Sequence, residues 1–239
     1  MDETIIRQLA PTGTLRAGIN LSNFLLVSDR TPDGDPVGVA PDMAAEIARR
    51  LGVPVNYVTF PSPGALADAA GTDTWDIGLI GAEPQRAEKI AFSTAYVEIE
   101  ATYLVPAGSP IERLEEVDRA GTRIAVTGRA AYGLWLERNI RNADLVRTDS
   151  LDSAYETFVA ENLDALAGLR PRLLSDVEKL PGARILDGKF MTVQQAIGTG
   201  RANDEAAGFL QDFVDEVKQS GFVANLIARH NIDGLTVAP

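Results

Sequence analysis

Short apolar runs of β type alternate with longer runs of helical periodicity along this chain, and this alternation constrains the fold more than any other feature. The predicted strands include residues 14–20 (TLRAGIN), 53–60 (VPVNYVTF) and 75–80 (WDIGLI), and Pro41 marks the start of a helix between the first two. Because strands separated by helices usually pair in parallel, the sequence predicts an α/β fold.

The alternation stops at residues 106–110 (PAGSP) and then begins again, with predicted strands at 123–127, 143–147 and 163–169. A last apolar run, residues 190–197 (FMTVQQAI), predicts a strand that returns toward the first segment. Two interpretations stay open. The chain forms either two lobes, with two crossings and a cleft that closes by a hinge motion, or one continuous sheet with a long loop.

The two-lobe interpretation has definite boundaries. Lobe 1 is discontinuous and comprises residues 1–105 and 198–239, whereas the inserted lobe 2 comprises residues 106–197. The hinge is predicted near residues 104–110 and 193–198.

Composition excludes several kinds of chemistry. The 239 residues include no cysteine and one histidine, His230, which excludes thiol nucleophiles and leaves no basis for multi-histidine metal sites or His-based triads. We therefore expect no metal, no cofactor and no catalytic residue. With 34 acidic and 22 basic residues the net charge is −12, so nucleic acid is not an expected partner. No apolar run is long enough to cross a bilayer.

The first residues, MDETIIRQLAPTG, lack the basic and apolar regions of a secretion signal. Composition alone therefore leaves two alternatives for the location of the protein. It is cytoplasmic, or a signal was removed ahead of this sequence.

Three stretches occur in a fixed order: GTLRAGIN from Gly13, GVAPDMAAEIARRLGVPVNYV from Gly38, and WDIGLIGAEPQRAEKIAFSTAYVEIEATYLV from Trp75. The third contains R-x-x-x-I-x-F-S, which runs from Arg86 to Ser93. Together, over residues 13–230, they resemble the polar-amino-acid type of extracytoplasmic solute-binding protein that serves ABC importers (bacterial solute-binding protein family 3).

The resemblance implies a two-lobed, periplasmic-binding-protein-like fold of type II that binds a small carboxylate-bearing ligand, an amino acid or related organic acid, in the cleft between the lobes. It also implies a periplasmic, monomeric protein whose partner is the membrane permease of an importer. Such a protein is not an enzyme.

The resemblance assigns Arg86 to the ligand, since a guanidinium matches both oxygens of a carboxylate. The alternative is a surface arginine paired with Glu83 or Glu88. Gly81, in the preceding turn, is expected to offer backbone N–H groups to the same anion, although a tight turn also favours a small residue.

In the second lobe, a predicted strand end is followed by a predicted helix start at Arg129 and Ala130. A helix start carries unpaired N–H groups and a partial positive charge, which suits an anion. The family commonly has hydroxyl residues here, so only backbone contact is expected from Ala130. Arg129 either contacts the ligand or lies at the surface.

The family also places an acidic residue after the second lobe's L-D-A strand, where it pairs with the ammonium of an amino acid. This chain has Leu169 and Arg170 instead. Because an unpaired buried ammonium is strongly unfavourable, we expect a ligand without an α-ammonium or with a second acidic or polar group. The alternative for Arg170 is outward pairing with Glu161 or Asp176.

Two further ligand contacts are expected. Phe24 offers a stacking wall in the loop after the first strand, and Gln195 offers hydrogen bonds near the second crossing. Trp75 is expected to belong to the core instead.

Two other functions use the same scaffold. A cyclohexadienyl-dehydratase-like enzyme would need a proton donor, for which Glu83 and Glu100 are the candidates. A ligand-sensing domain would bind its ligand in the same way as the transport protein.

Overall fold

The structure, a computed structural model, describes residues 2–239; Met1, with which predicted lobe 1 begins, lies outside the described residues. Packing divides the chain into two units. Unit 1 consists of Met1–Glu98 and Gln194–Pro239, and unit 2 consists of Ile99–Val193. Residues 106–110 lie inside unit 2.

Unit 1 is built around four paired strands with helices between them. Its elements are α1 (Glu3–Leu9), β1 (Leu15–Asn20), β2 (Asp29–Arg30), β3 (Pro36–Val37), α2 (Val39–Leu51), β4 (Val55–Phe60), α3 (Pro63–Asp68), β5 (Ile77–Gly81), α4 (Pro84–Ala87), the first half of β6 (Ile90–Val105), most of β11 (Met191–Gly200), α8 (Asp204–Gln219), α9 (Phe222–Arg229) and β12 (Thr236–Val237). The strand order is β4-β1-β5-β11, in which β1 is parallel to both β4 and β5 and β11 is antiparallel to β5.

Unit 2 is likewise built from paired strands with helices between them. Its elements are the second half of β6, a 3₁₀ turn (Leu114–Glu116), β7 (Arg123–Thr127), α5 (Ala131–Asn139), β8 (Asp144–Thr148), α6 (Leu151–Ala160), β9 (Ala165–Leu169), α7 (Arg170–Val177) and β10 (Arg184–Ile185). Strand β7 is parallel to β8 and β9, and β9 is antiparallel to β6. The α/β fold predicted from the sequence is confirmed.

Three elements differ from the sequence-based prediction. Helix α1 was not predicted, and it begins where the Asp2 side chain accepts a hydrogen bond from the Thr4 N–H at 2.8 Å. Helix α2 begins at Val39, two residues before the predicted Pro41. The apolar run at residues 98–105 (EIEATYLV) predicts only the second half of strand β6, which begins at Ile90 and is 16 residues long because its first half belongs to the sheet of unit 1.

Each unit has its own apolar core. In unit 1, Trp75 is buried against Leu66 and Ile80, so its predicted role in the core is confirmed. In unit 2, Phe158 of α6 packs against Leu166 and Leu173.

We predict that Phe158→Ala lowers the free energy of unfolding by about 3–5 kcal/mol, because it removes a buried ring and leaves a cavity. Val159→Ala is the matched control, since Val159 is the next residue of the same helix and is 42% exposed. Chemical denaturation of both variants measures the difference. Equal stability of the two variants would contradict the packing described for unit 2.

The part of the chain that the structure describes contains no helix long and apolar enough to cross a membrane.

Candidate functional site

In unit 1, three of the predicted site residues come together at the end of the sheet where the parallel strands have their carboxyl ends. Gly81 ends β5, and Gln195 of β11 lies opposite it in the antiparallel register. Arg86 follows in the short helix α4, and its guanidinium Nη1 donates to the Gly81 carbonyl at 2.7 Å. The neighbouring backbone closes the same turn, with the Ala82 N–H donating to the Gln194 carbonyl at 2.7 Å.

Arg86 is 6% exposed, which is unusual for an arginine. This burial does not fit the alternative prediction, in which Arg86 lies at the surface. Gln195 is similarly buried. A buried guanidinium requires acceptors for its N–H groups, and the Gly81 carbonyl supplies one of them. The group formed by Gly81, Gln195 and Arg86 is therefore polar but largely withdrawn from water.

Phe24 lies in a different loop at the same end of the unit 1 sheet. Strands β1 and β5 are parallel, with Ile19 opposite Leu79, so the loop after β1 emerges at the edge where β5 ends. Phe24 lies in that loop and is 39% exposed, whereas the adjacent Asn23 is buried. In doubly wound folds this edge, at the carboxyl ends of parallel strands, is where ligands usually bind.

The predicted residues of unit 2 also lie at the carboxyl ends of parallel strands. Arg129 and Ala130 follow β7, and Arg170 follows β9, which is parallel to it. Ala130 is the N-cap of α5 and provides no side-chain hydrogen bond to the helix N-terminus. Arg129 is exposed and adopts φ of 60°, a left-handed turn between strand and helix.

Gly133 allows α5 to approach this strand end closely. A Cβ atom at that position would lie 2.5 Å from the Thr127 carbonyl oxygen, so any larger residue would push the helix away. The first turn of α5 also contains Tyr132, whose burial raises the pKa of its hydroxyl to about 12. No role for Tyr132 was predicted from the sequence.

Arg170 forms an ion-pair cluster that was not predicted. Its Nε donates to Glu100 Oε2 at 2.8 Å, its Nη2 donates to the Gly188 carbonyl, and Lys189 Nζ lies 3.2 Å from Glu100 Oε1. We call Glu100, Arg170 and Lys189 the β6–α7 ion cluster. The predicted alternatives for Arg170 are wrong, because Glu161 pairs with Arg123 and Asp176 pairs with Arg172 and Lys179.

The cluster changes the acidity of Glu100. Partial burial opposes ionisation of this carboxyl, but the hydrogen bonds from Arg170 and Lys189 outweigh burial and lower its pKa. Glu100 is therefore a carboxylate at neutral pH. Two cations and one anion leave the cluster with a net positive charge.

Among residues 2–239, no group of three or more His, Asp or Glu side chains is arranged to hold a metal ion.

The sequence profile of bacterial extracellular solute-binding proteins, family 3, matches residues 16–232. Comparison with curated proteins gives no match.

Solved structures share the fold over nearly the whole chain. A mutant of ArgBP from T. maritima is similar with a TM-score of 0.76 and 22% identity, covering 96% of this chain and 100% of that one. An amino acid ABC transporter substrate-binding protein from Streptococcus pneumoniae bound to L-arginine has a TM-score of 0.75 and 20% identity, covering 98% and 99%. An ancestral amino acid-binding protein, a precursor of cyclohexadienyl dehydratase, has a TM-score of 0.73 and 20% identity, covering 94% and 98%.

We predict that Arg170→Gln raises the pKa of the Glu100 carboxyl toward its usual range, because the variant removes a charged hydrogen-bond donor. A pH titration of the Glu100 side-chain carboxyl ¹³C signal measures this change. Arg123→Gln is the matched control, since Arg123 pairs with Glu161 elsewhere in unit 2. An unchanged Glu100 pKa in Arg170→Gln would show that the ion pair does not form in solution.

Proposed function

Because the chain belongs to the bacterial extracellular solute-binding proteins, family 3, we propose that it captures a small carboxylate-bearing solute for an ABC importer. In this proposal the protein acts outside the cytoplasm and delivers its ligand to the membrane permease of that importer. The ligand binds in a cleft between two lobes, which close on it by a hinge motion.

The observation that carries the proposal is the buried Arg86 beside Gly81 at the carboxyl ends of the unit 1 strands. A guanidinium that is largely withdrawn from water interacts more strongly with an anion than an exposed one, because solvent screens it less. In the proposal, Arg86 forms the carboxylate contact. Gly81 and Gln195 contribute backbone and amide contacts, and Phe24 packs on the apolar part of the ligand.

Unit 2 is proposed to supply the other contacts. The uncapped N-terminus of α5 at Ala130 offers backbone N–H groups to an anion, with Arg129 beside it. The β6–α7 ion cluster adds a net positive charge near the start of α7. Its one carboxylate, Glu100, is already held by two cations, which makes it a poor partner for a ligand ammonium. We therefore propose a carboxylate ligand that lacks an α-ammonium or has a second acidic or polar group.

The enzymatic alternative is less favoured. A dehydratase-like reaction needs a carboxyl that retains its proton near neutral pH. Of the two candidates, Glu83 and Glu100, Glu100 does not fit, because its two cationic neighbours lower its pKa. The ancestral protein with a similar fold was itself an amino acid-binding protein. Binding without chemistry is the function that the described residues support best.

The proposal is tested by a thermal-shift screen of amino acids, 2-keto acids, dicarboxylates and aromatic acids, followed by calorimetry on matched pairs. A ligand at about 100 times its dissociation constant adds about 2.7 kcal/mol of stability. We expect a 2-keto acid or dicarboxylate to bind more tightly than the corresponding amino acid. Small-angle scattering should then show a smaller radius of gyration at saturation.

Two outcomes would count against the proposal. If no carboxylate stabilises the protein, the assigned ligand class is wrong. If an amino acid binds tenfold more tightly than its deaminated analogue, a difference of about 1.4 kcal/mol, another group must compensate its ammonium. Glu83→Gln and Glu100→Gln would then identify that group.

We predict that Arg86→Ala weakens binding of the carboxylate ligand by about 2–5 kcal/mol, because it removes one partner of a desolvated charge pair. Arg86→Lys should recover only part of this loss, since lysine lacks the bidentate fork. Calorimetric titration measures both affinities.

The burial of Arg86 means that its replacement also affects folding, so each variant is first checked by thermal unfolding. Arg49→Ala is the matched control, because the Arg49 side chain is 71% exposed on α2. A folded Arg86→Ala protein with wild-type affinity would remove Arg86 from the proposed site.

A further inference from the structure

Unit 1 contains a polar pocket near the amino ends of its central parallel strands, away from the candidate site. The pocket has a volume of about 440 Å³ and lies where the amino ends of β1 and β5 meet helix α1. Its walls include Arg7 of α1, Arg16 of β1, and Asp73, Trp75 and Asp76 from the segment before β5. A pocket of this size accommodates a small organic molecule.

This pocket is distinct from the proposed ligand site. Asp76 immediately precedes β5 and Gly81 ends it. Five residues of extended chain, at about 3.3 Å each, separate the two positions by roughly 16 Å. A molecule in the pocket would therefore contact neither Gly81 nor Arg86.

Two of the residues that line the pocket, Arg16 and Asp76, form an ion pair with each other. Arg16 Nη2 lies 2.6 Å from Asp76 Oδ1, and Arg16 Nε lies 3.0 Å from Asp76 Oδ2. The Asp76 side chain is 3% exposed, so this pair is part of the folded framework. A guanidinium held in this way has little left to offer a ligand.

Two further charged residues in the pocket lining make no ion pair with any residue that the structure describes, although the Asp73 carboxylate interacts electrostatically with Arg16, whose Nη1 also donates to the Asp73 carbonyl. Within residues 2–239, Asp73 makes no ion pair, and its carboxylate accepts no hydrogen bond. Among the same residues Arg7 also makes no ion pair, and its guanidinium donates only to Thr4 Oγ1, at 3.2 Å. Both side chains are exposed to solvent.

The wall that carries Arg7 is fixed to the rest of unit 1. Gln8 Nε2 donates to Glu205 Oε2 at 2.7 Å, and the Ala206 N–H donates to Gln8 Oε1 at 2.8 Å. These bonds join α1 to the start of α8. The position of helix α1, whose Arg7 is part of the pocket lining, is therefore set by tertiary contacts.

We propose that this pocket binds a small zwitterion, with its carboxylate on Arg7 and its ammonium on Asp73. A molecule with one charge would make an ionic contact with only one of these two residues, whereas a zwitterion would make one with each. Trp75 also lines the pocket, although it is only 7% exposed because most of its ring packs in the core of unit 1. Since both charged groups are exposed, each contact is modest and binding is expected in the millimolar range.

Trp75 is a built-in probe for this site. The chain has two tryptophans, Trp75 and Trp135, so an NMR spectrum contains two indole N–H signals, and Trp135→Phe assigns them. β-Alanine is the test zwitterion, with acetate and methylammonium as probes that carry one charge each. We expect a saturable shift of the Trp75 signal with β-alanine, and about threefold to fivefold weaker binding of acetate and methylammonium, each of which makes only one of the two ionic contacts.

Charge-neutral variants test the two walls separately. Arg7→Gln and Asp73→Asn should each weaken β-alanine binding about threefold to fivefold, the loss expected for one exposed ionic contact. Asparagine suits position 73 because Asp73 has φ of 56°, a conformation that Asn tolerates. Arg49→Gln and Asp233→Asn are the controls, since both residues are exposed and lie outside the pocket.

The same titration separates this site from the proposed transport site. In Arg86→Lys the Trp75 shift should keep its wild-type midpoint, and it should do so even if the proposed function is wrong. Loss of the shift in Arg86→Lys would mean that Trp75 reports on the proposed transport site. No saturable shift, or equal binding in Arg7→Gln, Asp73→Asn and the controls, would overturn the proposal.

Discussion

The buried ion pair between Arg16 and Asp76 aligns the two central parallel strands of unit 1. Asp76 accepts from both the backbone N–H and the guanidinium of Arg16, while its own N–H donates to the Arg16 carbonyl. A shift of one residue between β1 and β5 would break these bonds and turn the apolar side chains of β5 to the opposite face. The positions of Gly81 and Arg86 therefore depend on an interaction at the far end of the same strand.

The fold was predictable to the extent that it follows from local pattern. Apolar runs such as residues 75–80 predicted β5, and Trp75 was correctly assigned to the core. Helix α1 was missed because its seven residues are too short for a clear period, and its stability comes from a cap and from contacts with α8. Tertiary contacts of this kind have no local signature.

Residues of the candidate site were predictable from the sequence, but the hydrogen bonds and ion pairs between them were not. Arg86 and Gly81 were identified from a motif, whereas their direct hydrogen bond depends on the turn into α4. Arg170 and Glu100 were each considered, yet 70 residues separate them in sequence, and Lys189 was not considered at all. The ion cluster forms because β9 pairs with β6 and so brings the start of α7 beside Glu100.

The insertion of unit 2 into unit 1 has a consequence for the order of folding during synthesis. Strand β5 needs β11 on its outer side, with Ala196 opposite Ile80, but the ribosome makes all of residues 99–193 before β11. Unit 2 is therefore the first unit whose chain is complete. At that stage the side of β5 that will pair with β11 is still an exposed, apolar edge. Open edges of this kind pair readily with other chains. The nascent first 98 residues are therefore the stage at which a chaperone would protect this protein from aggregation.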